Sequence, residues 1–161
     1  MTAPAVSMPI LRIEVNGSPL PRASMALLGA VEVQQRLGLP AHIELTFSAS
    51  GDPSGQLSGL APLLAPGSPL LVDVQRLAGS AGRAGEQLFS GEITAQEWRY
   101  GAANRRDLLV RGYDALHRLG RRQSMRVFTT LTPASLAGQL GREVGLSVSA
   151  KEEGPPWASL Y

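Results

Sequence analysis

The residues most suited to chemistry lie close together in LVRGYDALHRLGRR, residues 109–122. Tyr113, Asp114 and His117 fall within five positions, and side chains of these three types serve as general acids and bases. The arginines around them can hold phosphates or carboxylates. The segment therefore raises three alternatives: an active site, a nucleic-acid-binding surface, or part of a structural framework.

The charge of the chain is concentrated around this segment. Eight arginines lie between Arg99 and Arg126 against Asp107 and Asp114, so this window carries +6 and the rest of the chain −4. Such a positive stretch fits RNA or DNA, an acidic protein surface, or internal ion pairs. The near absence of lysine favours contacts of defined geometry, because the guanidinium group pairs with carboxylates in a fixed arrangement.

Other chemical motifs are weak. The chain has no cysteine and only His42 and His117, too few for a typical metal site. There is no G-x-S-x-G nucleophile motif, and the glycines of residues 78–85 lack the G-x-G-x-x-G spacing of a phosphate-binding loop. Glu92 and Glu97 fall on opposite faces if their strand is regular. We therefore assign no catalytic residue, no cofactor and no metal.

The elements around the segment are predicted to be mostly strands. Alternating apolar residues predict strands at residues 10–15, 42–48, 70–76, 88–100 and 107–113, with further short strands near residues 27–37, 125–130 and 146–150. Asn16-Gly17 predicts a tight turn, and a loop is expected over residues 51–59. Thr132 as N-cap, Pro133 and the spacing of Leu136 and Leu140 predict a helix that ends at Gly145.

This pattern predicts a mainly β chain with a minor α part: a small antiparallel β-barrel-like domain followed by one late helix. We expect a flexible arm over residues 1–9, the barrel over 10–130, the helix over 131–146 and a connecting segment over 147–161. No apolar run approaches the roughly 20 residues of a membrane span. The N-terminus also lacks the pattern of a secretory signal, so we expect synthesis and assembly in the cytoplasm.

An ordered set of motifs resembles the phage late control protein D family, which includes baseplate hubs of contractile tails and the N-terminal part of VgrG spike proteins. The pattern is F-x-G-x-I, then G-Y-D, a short H-R-L segment, an arginine-rich turn and a helix closing at G-L. Its structural positions in this chain are Phe89, Gly91, Ile93, Gly112, Tyr113, Asp114, His117 and Leu119.

The resemblance implies structural work and no enzymatic activity. Family hubs are trimers in which each chain supplies two barrel-like tube domains, so that three chains match a hexameric inner tube on one side and carry the spike on the other. This sequence would supply the first tube domain. The implied partners are two further copies, the inner tube protein, the spike tip and other baseplate proteins, in a phage-tail-like particle that is released or docked on a membrane.

Partner contacts are assigned to the arginine cluster and to the apolar C-terminal residues. The candidate interface residues are Arg99, Arg105, Arg106, Arg111, Arg118, Arg121, Arg122, Trp157 and Tyr161. The alternative is a small barrel that binds nucleic acid through Arg99–Arg126, with Trp98, Tyr100 and Tyr113 available to stack on bases. No nucleic acid is expected if the hub interpretation holds.

Overall fold

A computed structural model of the chain describes residues 9–51, 55–76, 84–121 and 127–160. The chain divides into two compact units, residues 1–114 and 115–161. Antiparallel strands dominate the first unit, and short helices account for most of the remaining regular structure. The prediction of a mainly β chain with a minor α part is confirmed.

The first unit is built on one seven-stranded antiparallel sheet. Its strands are β1 (Pro9–Val15), β2 (Ser18–Pro19), β3 (Leu28–Gln34), β4 (His42–Ser50), β5 (Pro69–Arg76), β6 (Ala84–Tyr100) and β7 (Arg105–Tyr113). Their order in the sheet is β2-β1-β5-β6-β7-β4-β3, which leaves β2 and β3 at the two edges. Two short helices, α1 (Arg22–Met25) and α2 (Gln56–Leu60), and a 3-10 helix (Ala61–Leu64) lie between strands.

Strict alternation of apolar and polar residues places β4 in the centre of the packing. Ile43, Leu45 and Phe47 are fully buried, whereas the intervening side chains lie on the other face of the sheet. The neighbouring β7 contributes Leu108 and Val110 to the same core. The strand predicted over residues 42–48 is thus confirmed and extends to Ser50.

The sheet curls around its core. Its two edge strands, β2 and β3, are joined by only eight residues, 20–27, which include helix α1. That connection is too short to cross a flat seven-stranded sheet, which would be about 29 Å wide. Ile13 of β1 and Leu45 of β4 accordingly belong to one apolar cluster. The arrangement is barrel-like, with α1 connecting the two edges.

Of two local predictions, the turn at Asn16-Gly17 is confirmed and the loop over residues 51–59 is partly wrong. The turn at Asn16-Gly17 is confirmed: both residues have positive φ, 54° and 74°, and the chain reverses from β1 into β2. The loop predicted over residues 51–59 is partly helical, because Leu57, Leu60 and Leu64 recur at helical spacing and are buried in the core. The helical spacing of these three leucines is visible in the sequence.

The second unit contains α3 (His117–Gly120), β8 (Phe128–Leu131), α4 (Pro133–Glu143) and β9 (Trp157–Leu160). Helix α4 confirms the predicted late helix. Its N-cap Thr132 accepts a hydrogen bond from the Ser135 amide at 3.2 Å, and the Ser135 hydroxyl accepts one from the Thr132 amide at 3.0 Å. Gly145 follows the helix with a φ of 77°.

One expectation about the C-terminal part differs from the structure. The strand predicted at residues 146–150 is absent from those described residues; the strand of this tail is β9, which pairs antiparallel with β8. Strand β8 belongs to this two-stranded sheet and not to the seven-stranded sheet. Pairing partners of such short strands are set by tertiary contacts, which local periodicity does not reveal.

Candidate functional site

The motif residues of the first unit converge on one junction between β6 and β7. In the register of these strands Glu92 lies opposite Tyr113, and Ile93 lies opposite Gly112. Phe89 and Ile93 are buried in the core. The two halves of the motif, F-x-G-x-I and G-Y-D, are therefore neighbours in space, although about twenty residues separate them in the chain.

Glycine is required at this junction for steric reasons. A Cβ on Gly91 would lie 2.6 Å from Cζ of Phe89 and would collide with the Tyr113 carbonyl oxygen. A Cβ on Gly112 would lie 2.9 Å from the Glu92 carbonyl oxygen and 3.0 Å from Cγ2 of Ile43. Both glycines thus allow the backbones of β6 and β7 to approach closely.

Tyr113 and Asp114 fix the point where the chain leaves the sheet. The Ala41 amide donates to Oδ2 of Asp114 at 3.0 Å, and the Asp114 amide donates to the Ala41 carbonyl at 3.0 Å. The Tyr113 ring lies against the His42 ring, with centroids 4.9 Å apart and planes tilted by 42°. The Asp and Tyr that suggested acid-base chemistry therefore make structural contacts to the start of β4.

The remaining two motif residues lie in the second unit. His117 begins the short helix α3, and Leu119 lies in the same helix with 37% of its surface exposed. The sequence window that raised the question of an active site thus spans the division between the two units. Its Tyr, Asp and His belong to different local structures.

Arg111 is the centre of an ion-pair network across three strands. Its Nε lies 2.9 Å from Oε2 of Glu44 on β4, and its Nη2 lies 2.8 Å from Oε2 of Glu97 on β6. Glu97 also accepts from Nε of Arg99 at 2.7 Å. Hydrogen bonds to Glu44 and Glu97 raise the pKa of Arg111, and those from Arg99 and then Arg111 lower the pKa of Glu97.

A second ion pair lies along β7. Nε of Arg105 is 3.1 Å from Oδ1 of Asp107. A hydrogen bond from Ser48, followed by that from Arg105, lowers the pKa of the Asp107 carboxyl. Arg106, which lies between these two residues in the strand, is exposed. None of the carboxylates in the described parts of the chain lies within ion-pair distance of it.

The strand register also corrects the predicted positions of two glutamates. A bulge between Ile93 and Ala95 shifts the alternation of β6. Glu92 lies opposite Tyr113 and Glu97 opposite Leu109, two residues on the same face of β7. Glu92 and Glu97 therefore share one face, contrary to the expectation for a regular strand.

We call this outer surface of β3, β4, β7 and β6 the charged face. Its described charged residues are Glu32, Glu44, Glu92, Glu97, Arg99, Arg105, Asp107 and Arg111. Carboxylates outnumber guanidinium groups on it, because strands distant in sequence interleave acids among the arginines. The positive window in the sequence does not become a continuous basic surface here. Glu44, which completes the network, was missed, although the polar alternation of β4 would have placed it on this face.

The aromatic residues considered for base stacking are also arranged differently. Trp98 packs against the core, and Tyr113 lies against His42. Tyr100 is 74% exposed at the end of β6. A row of exposed aromatic rings beside arginines, which single-stranded nucleic acid requires, is therefore not found among these three residues.

The other candidate interface residues belong to the second unit. Arg118 and Arg121 are exposed, and Nη1 of Arg118 donates to the Val144 carbonyl at 3.4 Å. Trp157, on β9, is 39% exposed. Arg122 and Tyr161 lie outside the described residues.

Within the part of the chain that the structure describes, no group of three or more His, Asp or Glu residues could hold a metal ion. The longest helix there has eleven residues, and none is long and apolar enough to cross a membrane.

No protein-family profile and no curated protein matches the sequence. Solved structures do match. The chain shares its fold with a type VI secretion component. That protein, E. coli c3393, is described as structurally similar to the T4 bacteriophage tail proteins gp27 and gp5; the match has a TM-score of 0.54, 14% identity and 92% coverage of this chain.

Chains of the Francisella PdpA-VgrG complex are similar as well. The half-lidded form matches with a TM-score of 0.54 and 11% identity over 96% of this chain, and the lidded form with 0.52 and 12% over 96%. This chain spans 38% of the matched E. coli chain and 26% and 23% of the two Francisella chains. At these low sequence identities, the structural similarity shows a shared fold.

Proposed function

We propose that this protein is a structural component of a phage-tail-like contractile injection particle, located in the hub where the inner tube meets the spike. The observation that carries the proposal is the fold: more than nine-tenths of the chain superimposes on a type VI secretion component that itself resembles tail proteins. The sequence motifs of the late control protein D family support the same assignment independently. The F-x-G-x-I and G-Y-D motifs form the β6–β7 junction of this fold.

The finer part of the proposal concerns assembly. Three copies would form a ring that adapts the hexameric inner tube to the central spike, with the inner tube protein, the spike tip and other baseplate proteins as neighbours. Among the described residues no strand pairs with the outer edge of β2 or of β3, which supports this, because free strand edges are available for contacts between subunits. Assembly would take place in the cytoplasm, within a particle that is later released or docked on a membrane.

A non-enzymatic role is part of the same proposal. Tyr113 and Asp114, the residues best suited to acid-base chemistry, make contacts to Ala41 and His42 that hold the sheet together. The matched solved structures are of a type VI secretion component and of PdpA-VgrG complexes. Three of the arginines that suggested substrate binding, Arg99, Arg105 and Arg111, are ion-paired with Glu97, Asp107 and Glu44.

The proposal is tested by co-assembly. The full-length protein is mixed with the inner tube protein of the same organism, and the mixture is examined by light scattering after size-exclusion chromatography and by negative-stain microscopy. We expect a trimeric mass and rings that cap tube ends. A protein that stays monomeric and never associates with tubes contradicts the proposal.

The same samples decide the alternative. A labelled oligonucleotide is added over a range of salt concentrations. If the protein binds it with an affinity that falls steeply as salt rises, and does not associate with tubes, the arginines serve phosphate contacts and the nucleic-acid interpretation replaces the hub.

A further inference from the structure

The connection between β4 and β5 runs from one end of the sheet to the other. Ser50, the last residue of β4, lies opposite Arg105, the first residue of β7. Pro69, the first residue of β5, lies opposite Glu92, which in turn lies opposite the last residue of β7. Helix α2 and the 3-10 helix, residues 56–64, lie in this connection, and we call them the strap.

The strap packs on the inner, apolar face of the curled sheet. Leu57, Leu60 and Leu64 are each at most 2% exposed. They belong to the same apolar cluster as Phe47 of β4 and Val110 of β7. The strap therefore occupies the interior that the sheet encloses.

The side chain of Gln96, on β6, contacts the strap directly. Its Nε2 donates to the carbonyl oxygens of Ala61 and Leu64, each at 2.7 Å. A carboxamide nitrogen carries two protons, so both hydrogen bonds form together. Leu64 ends the 3-10 helix, where the backbone carbonyl has no partner within the helix and needs a donor from elsewhere.

The bulge in β6 is what turns Gln96 inward. Ile93 faces the core, and in a regular strand Gln96, three positions later, would face outward. Because of the bulge, Gln96 instead lies opposite Val110, which is fully buried. Trp98, two positions further on, also packs against the core. One irregularity in β6 thus brings a polar donor to the inner face of the sheet.

We infer that Gln96 is a latch that holds the strap closed inside the barrel, and that the bulge in β6 presents this latch. Gly55 and Gly67, on either side of the strap, have φ values of 66° and 90°, so the backbone turns sharply before and after it. The Gly67 amide donates to the Ile93 carbonyl at 2.7 Å. The strap is therefore attached to β6 in its central part by Gln96 and just beyond its end by Gly67.

A nearly isosteric substitution tests the latch. In full-length Gln96→Glu, a carboxylate lies against two carbonyl oxygens at neutral pH, whereas the protonated acid donates one hydrogen bond. The strap contains no titratable residue, and Val110 faces position 96 from β7, so the pH response comes from the new side chain. We expect the urea midpoint of Gln96→Glu to lie well below that of the wild type at about pH 7 and to approach it at about pH 4.

Gln96→Met is the matched control, because it removes both donors without adding a charge. Its urea midpoint should lie below that of the wild type by a similar amount at both pH values. Hydrogen exchange of residues 56–64, measured by mass spectrometry, should be faster by about tenfold or more, since two carbonyls in the half-buried interior lose their donor.

Two results overturn the latch. One is a Gln96→Glu deficit that is the same at both pH values, as expected for an exposed side chain. The other is a Gln96→Met protein that matches the wild type in stability and in exchange of the strap. If Gln96→Glu folds at neither pH, the exchange of Gln96→Met decides alone.

Discussion

The Asp114 carboxylate accepts a hydrogen bond from the Ala41 amide at 3.0 Å, while the Ala41 carbonyl accepts one from the Asp114 amide at the same distance. The pair ties the end of β7 to the residue that precedes β4. It also fixes one end of the connection between β3 and β4. The last residue of the G-Y-D motif thus positions a surface loop, which is a structural role.

Replacing Asp114 tests this relationship. In Asp114→Ala the half-buried Ala41 amide loses its side-chain acceptor, which should cost about 1–3 kcal/mol of unfolding free energy. Asp114→Asn keeps a side-chain oxygen and should cost less. Urea unfolding of both variants checks the order. Equal stability of Asp114→Ala and the wild type would show that the hydrogen bond does not hold the loop.

Gly91 offers a sharper steric test. Gly91→Ala forces a methyl group against the Tyr113 carbonyl and the Phe89 ring, so β6 and β7 must separate. We expect a loss of at least about 2 kcal/mol, or failure to fold. Gly85→Ala on the same strand is the control, since its nearest contact is an ordinary 3.9 Å to Gln75. Thermal unfolding that ranks Gly85→Ala as equally damaging would contradict the crowded junction.

The ion-pair network predicts a specific response to acid. Hydrogen bonds from Arg99 and then Arg111 lower the pKa of Glu97 below its ordinary 4.5, and hydrogen bonds from Ser48 and then Arg105 lower the pKa of Asp107 below 3.8. A lowered carboxyl pKa contributes stability that is present above the ordinary value and is lost as pH falls through the lower, folded value. In Arg111→Met the fall in the urea midpoint between about pH 6 and pH 3 should therefore be smaller than in the wild type. Because these side chains are solvent-accessible, the difference should shrink in high salt. Parallel pH profiles for both proteins would contradict the network.

Several parts of the fold were predictable because their signals are local. The alternation of residues 42–48, the Asn16-Gly17 turn and the Thr132 cap each depend on a few adjacent residues. Leu57 and Leu60 of α2 and Leu64 of the following 3-10 helix recur at helical spacing, but they lie in a stretch rich in Gly, Ser and Pro that favoured a loop.

The charged face could not be predicted in the same way. Arg111 and Glu44 are 67 residues apart, and only the pairing of β4 with β7 brings them together. The bulge after Ile93 moves every later side chain of β6 to the opposite face of the sheet from the one expected for a regular strand. No residue type near Ile93 indicates this bulge. The net charge of the sequence window from Arg99 to Arg126 therefore overstated how positive the charged face is.

Helix α4 provides a test in the second unit. Thr132→Ala removes the side chain that accepts from the Ser135 amide and should destabilise the helix by about 1 kcal/mol. Thr132→Asp, which keeps a capping oxygen, should restore most of the loss. Hydrogen exchange of the α4 amides measures the change locally. Unaltered exchange in Thr132→Ala would mean that the capping box does not stabilise this helix.

The central claim is that the protein belongs to the hub between tube and spike. The most direct measurement is immunogold electron microscopy of particles purified from the native organism carrying an epitope-tagged copy of the full-length gene. We predict label at the end of the particle where the inner tube meets the spike. Label that is absent from particles, or spread along their length, would contradict the account.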